Sequence, residues 1–109
     1  GAMGLGDIGK HFPDTDPKYK GISSMVLLQH TYEFMEQEGY EIGNIDSIIM
    51  CEEPKMAPYI ITMRENVARV LHCDITQVNI KATRGEKLGF VGRKEGIVSQ
   101  SVVLLNKKG

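Results

Sequence analysis

Apolar residues along this chain change their period from segment to segment, and that succession restricts the fold more than any other feature. Met25, Leu28, Tyr32 and Met35 recur at helical spacing. Ser23 and Ser24 can each cap such a helix, and Gly39 offers its stop. Residues 44 to 51 then read as a buried, isoleucine-rich strand. Pro54 and Pro58 punctuate a loop, and from about Pro58 to His72 the residues Ile60, Met63, Val67, Val70 and Leu71 make one apolar helical face. Val78, Ile80 and Ala82 alternate with Asn79, Lys81 and Thr83, the pattern of a half-buried strand whose polar side faces either solvent or another subunit. A glycine-rich stretch from Gly85 to Gly96 precedes a last strand over residues 97 to 106. The order loop, helix, strand, helix, strand, loop, strand predicts an α+β fold (a mixed α/β sandwich): a small sheet with helices packed on one face.

With 109 residues the chain suffices for one domain, 1–109, and its modest core would be supplemented naturally by oligomerisation. Thirteen basic and fourteen acidic side chains leave a formal charge of −1, which argues against a nucleic-acid partner. No apolar run approaches the ~20 residues of a membrane span, which argues against a membrane partner. The isolated Cys51 and Cys73 predict a reduced, intracellular protein without disulfides.

Residues 6 to 21 are dense in Gly, Pro and Asp, a loop with at most a short helical turn. Within it Asp7-Ile8-Gly9 and Phe12-Pro13-Asp14-Thr15-Asp16 bring carboxylates together. These can bind sugar hydroxyls or a hard cation, or they can satisfy local backbone amides of a solvated turn. A second cluster, Pro54-Lys55-Met56-Ala57-Pro58, follows a strand end, a common place for a pocket, although the residues alone favour a connector with one exposed lysine. The third runs from Lys81 to Arg93. Thr83, Arg84, Lys87 and the glycine backbone suit a diphosphate, with Glu86 able to hold Mg2+ beside it, although P-loop spacing is absent; the residues suit a purely structural turn as well. His11, His30 and His72 do not fall at metal-ligand spacing, and His72 at a helix end reads as structural.

In this order the clusters resemble the 2-C-methyl-D-erythritol 2,4-cyclodiphosphate synthase family. The matching text is Gly6-Asp7-Ile8-Gly9…Phe12-Pro13-Asp14-Thr15-Asp16, Pro54-Lys55-Met56, and Lys81-Ala82-Thr83…Glu86-Lys87-Leu88-Gly89-Phe90…Gly92-Arg93…Glu95-Gly96. The resemblance implies a metal-dependent lyase of non-mevalonate isoprenoid precursor synthesis. Its substrate would be 4-diphosphocytidyl-2-C-methyl-D-erythritol 2-phosphate, whose 2-phosphate attacks the β-phosphorus and expels CMP. It implies a homotrimer with sheets toward the three-fold axis and sites between subunits, cytoplasmic in a bacterium or plastidic in a plant or alga.

By position, the resemblance places Asp7 and Gly9 at the ribose, and Ile8 with Phe12 to Asp16 at the methylerythritol phosphate. Cys51, Glu52, Glu53, Pro54, Lys55, Met56 and Ala57 would surround the cytosine, largely through backbone. Thr83 and Arg84 take the catalytic positions by the diphosphate, next to Gly85, and Glu86 ligates Mg2+ or Mn2+. Phe90 and Arg93 would lie near a trimer cavity able to hold an isoprenoid diphosphate. The family's Zn2+ ligands belong to an opening segment that the chain is expected to lack, so this form is expected to bind cytidine nucleotides and turn over poorly or not at all. Arg84 and Gly85 stand where the family has threonines. Glu52 and Glu53 bring carboxylates to a commonly neutral base pocket and are expected to face solvent. The alternative is a non-catalytic trimeric module binding cytidine nucleotide or an isoprenoid diphosphate, and a further one is half of a fused synthase.

Overall fold

The computed structural model describes residues 1–13, 15–19 and 21–109, with the side chain of Tyr19 left aside. Asp14, expected at the substrate pocket, lies outside the described residues. The acidic loop contains the short helix α1, Ile8–His11, and a 3-10 turn at Pro17–Tyr19. Helix α2 spans Ser24–Gln37, capped by Ser23, whose hydroxyl accepts from the Met25 amide at 3.2 Å. Gly39 then turns the chain at φ +82°, a conformation that costs glycine nothing.

Strand β1 runs Tyr40–Met50, beginning earlier than the isoleucine run suggested. Its polar start is recruited by pairing with the last strand, where Tyr40 lies opposite Lys107. A register shift between Ile42 and Asn44 marks a bulge at Gly43, which has room for no side chain: a Cβ there would lie 2.9 Å from the Leu104 carbonyl oxygen. Beyond Cys51, a 3-10 turn at Ala57–Tyr59 leads into helix α3, Ile60–Val70. It ends in a Schellman arrangement, with the Cys73 amide donating to Ala68 O at 3.0 Å and the His72 amide to Arg69 O at 3.4 Å. His72 occupies the left-handed position there, φ +52°, and stacks on Tyr32 with ring centroids 4.8 Å apart.

After a 3-10 turn at Ile75–Gln77, strand β2 covers Val78–Thr83, the one-turn helix α4 Gly89–Gly92, and strand β3 Val98–Lys107. The sheet order is β2-β1-β3, with β1 parallel to β2 and antiparallel to β3. Leu28 and Met35 of α2, Val67 of α3, Ile45 of β1 and Val103 of β3 border a common apolar cavity, so both long helices lie over the same sheet face, as expected. On that face Ser47 and Ser101 share a 2.7 Å hydroxyl hydrogen bond. The buried apolar core is small: Met35, Cys51, Ala68, Leu71, Val78 and Val91.

Among the described residues no helix covers the opposite face. Asp46 meets Asn79 and Val102 across the strands, and Val102 and Leu104 stand 76% and 59% exposed. Asp46 accepts from Lys81 Nζ at 3.0 Å and from Asn79 Nδ2 at 3.1 Å. The polar side of β2 is therefore bonded into a cross-strand network beside an exposed apolar strip, a combination the alternating pattern alone did not specify.

Candidate nucleotide and diphosphate site

Parallel strands β1 and β2 end side by side: Met50 lies opposite Thr83, and the Cys51 amide donates to Thr83 O at 3.0 Å. The Pro-bounded loop leaves one strand and the glycine-rich segment the other, at the carboxyl edge where open α/β sheets place ligands. The second and third sequence clusters thus meet at one sheet edge.

Three contacts fasten them. Glu52 is 4% exposed; its Oε2 accepts from the Gly85 amide at 2.9 Å, and its Oε1 lies 3.6 Å from Arg84 Nη2. Lys94 Nζ lies 3.2 Å from Glu53 Oε1. The expectation that both glutamates face solvent holds for Glu53 and fails for Glu52, because the folded-back glycine-rich turn supplies a donor and a cation from above. Within the loop, the Cys51 thiol donates to Glu53 O at 3.1 Å, and Pro54, Lys55 and Ala57 are exposed, with Met56 half-buried.

The glycine-rich segment closes tightly. Glu86 and Lys87 both take positive φ, 51° and 64°, and the Leu88 amide donates to Gly85 O at 2.9 Å. A Cβ on Gly92 would fall 2.3 Å from the Lys87 carbonyl carbon, and one on Gly85 2.5 Å from Gly92 N, so both must be glycine in this turn. Backbone amides of a tight turn of this kind can converge, a geometry suited to anions. Thr83, Arg84, Glu86 and Lys87 stand exposed around it. Arg93 is held by Glu95, Nε to Oε1 at 2.8 Å, while the half-exposed Phe90 ring lies over Gly96.

The first cluster is anchored elsewhere, on α2. His11 and Phe12 pack their rings on Phe34 at centroid distances of 5.3 and 5.7 Å, and Phe12 also meets His30. Asp7 caps α1 by accepting from the Lys10 amide at 3.0 Å, and Asp16 accepts from the Lys18 amide at 3.0 Å. Ile8, Gly9 and Thr15 are exposed and Pro13 is half-buried. Of the solvated-turn bonds considered for Asp7 and Asp14, that of Asp7 is present and Asp14 lies outside the described residues; Ile8 points outward at 60% exposure. Sequence reasoning passed over Lys94 and the buried role of Glu52; the signal for both was the acidic pair Glu52-Glu53 preceding a proline, opposite a basic turn.

Among the described residues no group of three or more His, Cys, Asp or Glu is assembled to hold a metal. They do not build a zinc site by themselves. Glu86, a single exposed carboxylate beside a phosphate-type turn, suits Mg2+, which keeps several waters and takes phosphate oxygens as further ligands. No helix among the described residues is long and apolar enough to cross a membrane.

The model of the YgbB family matches residues 1–106. This chain belongs to the YgbB family. It is 61% identical over 105 residues to the 2-C-methyl-D-erythritol 2,4-cyclodiphosphate synthase of Clostridioides difficile, covering 96% of the chain but 65% of that relative. To the synthase of Bacillus cytotoxicus it is 56% identical over 108 residues, 99% of the chain and 68% of the relative. It therefore spans about two thirds of the length of these YgbB relatives. Among solved structures, the bifunctional IspDF of Campylobacter jejuni superposes with TM-score 0.93 at 46% identity, over 98% of this chain and 29% of that one. A CDP complex of IspF from Plasmodium falciparum superposes with TM-score 0.87 at 30% identity, over the whole chain and 65% of that one. The family resemblance read from the three clusters, and the small mixed sheet with its helices, are both borne out.

Proposed function

We propose that the protein carrying this chain is a 2-C-methyl-D-erythritol 2,4-cyclodiphosphate synthase, a lyase of isoprenoid precursor synthesis. The observation that supports it is the joining of the Pro-bounded loop to the glycine-rich turn at one sheet edge, in a family whose members include CDP complexes. A cytosine would lie against the backbone of residues 51–57, and the diphosphate against the amides of the turn with Thr83, Arg84 and Lys87 around it. Asp7 and Gly9 would take the ribose, and Ile8 with Phe12 to Asp16 the methylerythritol phosphate.

Since nucleophile and leaving group belong to one molecule, the protein's task is to fold the substrate so that the 2-phosphate oxygen faces the β-phosphorus in line with the departing CMP. Arg84 and Lys87 would neutralise charge on the phosphate oxygens as CMP leaves. Glu86 would hold Mg2+ or Mn2+, which supplies further neutralisation when bound. The Zn2+ of this chemistry would take its ligands from outside the described residues. The acidic loop rests on α2 while the other clusters sit at the sheet edge, which favours a site completed between subunits of a homotrimer. The uncovered face with Val102 and Leu104 is the surface we assign to that assembly. Phe90 and Arg93 would border its cavity, where an isoprenoid diphosphate would bind.

Titration calorimetry with CDP, followed by CMP release from the cyclisation substrate with Zn2+ and Mg2+, tests this. Binding and release support the synthase. Binding without release by the full-length protein would make it a nucleotide-binding module instead, and absence of both would remove the reading.

A further inference from the structure

We infer that Glu52 is a positioning residue for the diphosphate turn, acting through Gly85 and Arg84 rather than by touching the nucleotide; this rests on the functional reading above. Its carboxylate is 4% exposed and cannot present a free edge to a bound base. Both its oxygens point at the turn: Oε2 takes the Gly85 amide at 2.9 Å and Oε1 faces Arg84 Nη2 at 3.6 Å. Among the described residues the further tie of the turn to the loop, Lys94 to Glu53, joins side chains that are both more than half exposed.

The geometry explains why a carboxylate belongs beneath an anion-binding turn, where it would otherwise repel the ligand. Gly85 immediately precedes the left-handed pair Glu86 and Lys87. Fixing the Gly85 amide fixes where the following amides point. The same carboxylate, 3.6 Å from Arg84 Nη2, holds the guanidinium beside the turn, where it can face the phosphate oxygens. A neighbouring cation and a bonded amide are the partners that make burial of a carboxylate tolerable. Cys51 completes the coupling: its amide continues the β1–β2 ladder and its thiol bonds Glu53 O, leaving the residue between them little freedom.

The test compares CDP with cytidine, which lacks the diphosphate, by calorimetry on the wild-type chain, Glu52→Gln and Glu52→Ala. Glutamine keeps an acceptor for the Gly85 amide and loses the charge that holds Arg84. Glu52→Ala is expected to weaken CDP about tenfold or more while cytidine stays within about twofold, with Glu52→Gln between. Should Glu52→Ala not fold, the ratio of CDP to cytidine affinity in Glu52→Gln decides by itself. Unchanged CDP affinity in the variants, or equal losses for both ligands, overturns the positioning role while leaving the functional reading intact. A folded wild-type chain that binds neither ligand overturns the functional reading and this role together.

Discussion

Arg64 on α3 reaches across to the start of β2, its Nε donating to Val78 O at 2.6 Å and its Nη2 to Ile75 O at 3.1 Å. Val78 is the most deeply buried side chain of the core, 1% exposed, and the guanidinium satisfies carbonyls at the point where the chain enters the sheet. Arg64→Ala should therefore destabilise the fold by about 2–3 kcal/mol, the range for charged hydrogen bonds and the carbonyls they leave behind. Lysine lacks the planar fork and should recover only part of this. Urea denaturation of the three proteins measures it, and an unchanged midpoint would sink the assignment.

Stability should fall in acid through Asp46. Hydrogen bonds from Lys81 and then Asn79 hold its carboxyl below the ordinary carboxylate value. A depressed folded-state pKa means the contribution is fully present above the unfolded value near ~4 and is lost as pH falls through the lower folded value. Asp46→Asn should flatten that part of the profile. Denaturation midpoints between neutral and strongly acid pH, compared for both proteins, give the answer; coincident slopes would remove Asp46 from the account.

Gly92→Ala should disrupt the diphosphate turn. Its Cβ would meet the Lys87 backbone, which cannot rotate away as a side chain would. Overpacking of this kind costs about 1–3 kcal/mol, and CDP affinity should fall by a matching factor of about five to 150. Normal CDP binding by a folded Gly92→Ala variant would mean that the turn adopts another shape.

Asp7 carries two tasks that substitution can separate. Its Oδ1 caps α1, and asparagine caps equally well without charge. Asp7→Ala is expected to weaken CDP by about 1–3 kcal/mol. If Asp7→Asn loses as much while far-UV circular dichroism stays constant, the charge acts on the ligand; full affinity in Asp7→Asn would reduce Asp7 to a cap.

Leu104→Glu should prevent self-association. Leu104 and Val102 form the exposed apolar strip of the helix-free face, and a carboxylate there would have to be desolvated in any interface. Light scattering should report a trimer for the parent and a monomer for the variant at micromolar concentration. A monomeric parent would remove the open face from the assembly.

Much of this was legible from periodicity. The helical recurrence of Met25, Leu28, Tyr32 and Met35 marks α2, and the Ser23 cap forms as read. Other features were hidden by the physics of pairing. The bulge at Gly43 puts Ile42 and Ile45 along the same cavity, though their spacing in sequence belongs to neither a regular strand nor an obvious break. Glu41 joins a strand only because Asn106 stands opposite.

What the sequence determined by itself is therefore local: the order of helices and strands, the glycines that permit the turn, and the three clusters that identify the family. The tertiary structure decided which of those clusters share a site and which charges are buried. Glu52 and Glu53 are neighbours of the same kind, yet one lies under Gly85 and Arg84 and the other pairs with Lys94 at the surface. That difference depends on the parallel strands ending together and on a turn folding back over the loop, contacts between segments more than thirty residues apart. A local pattern carries hydrophobicity and backbone preference, whereas the partner of a charge is set by which distant segment the sheet brings beside it.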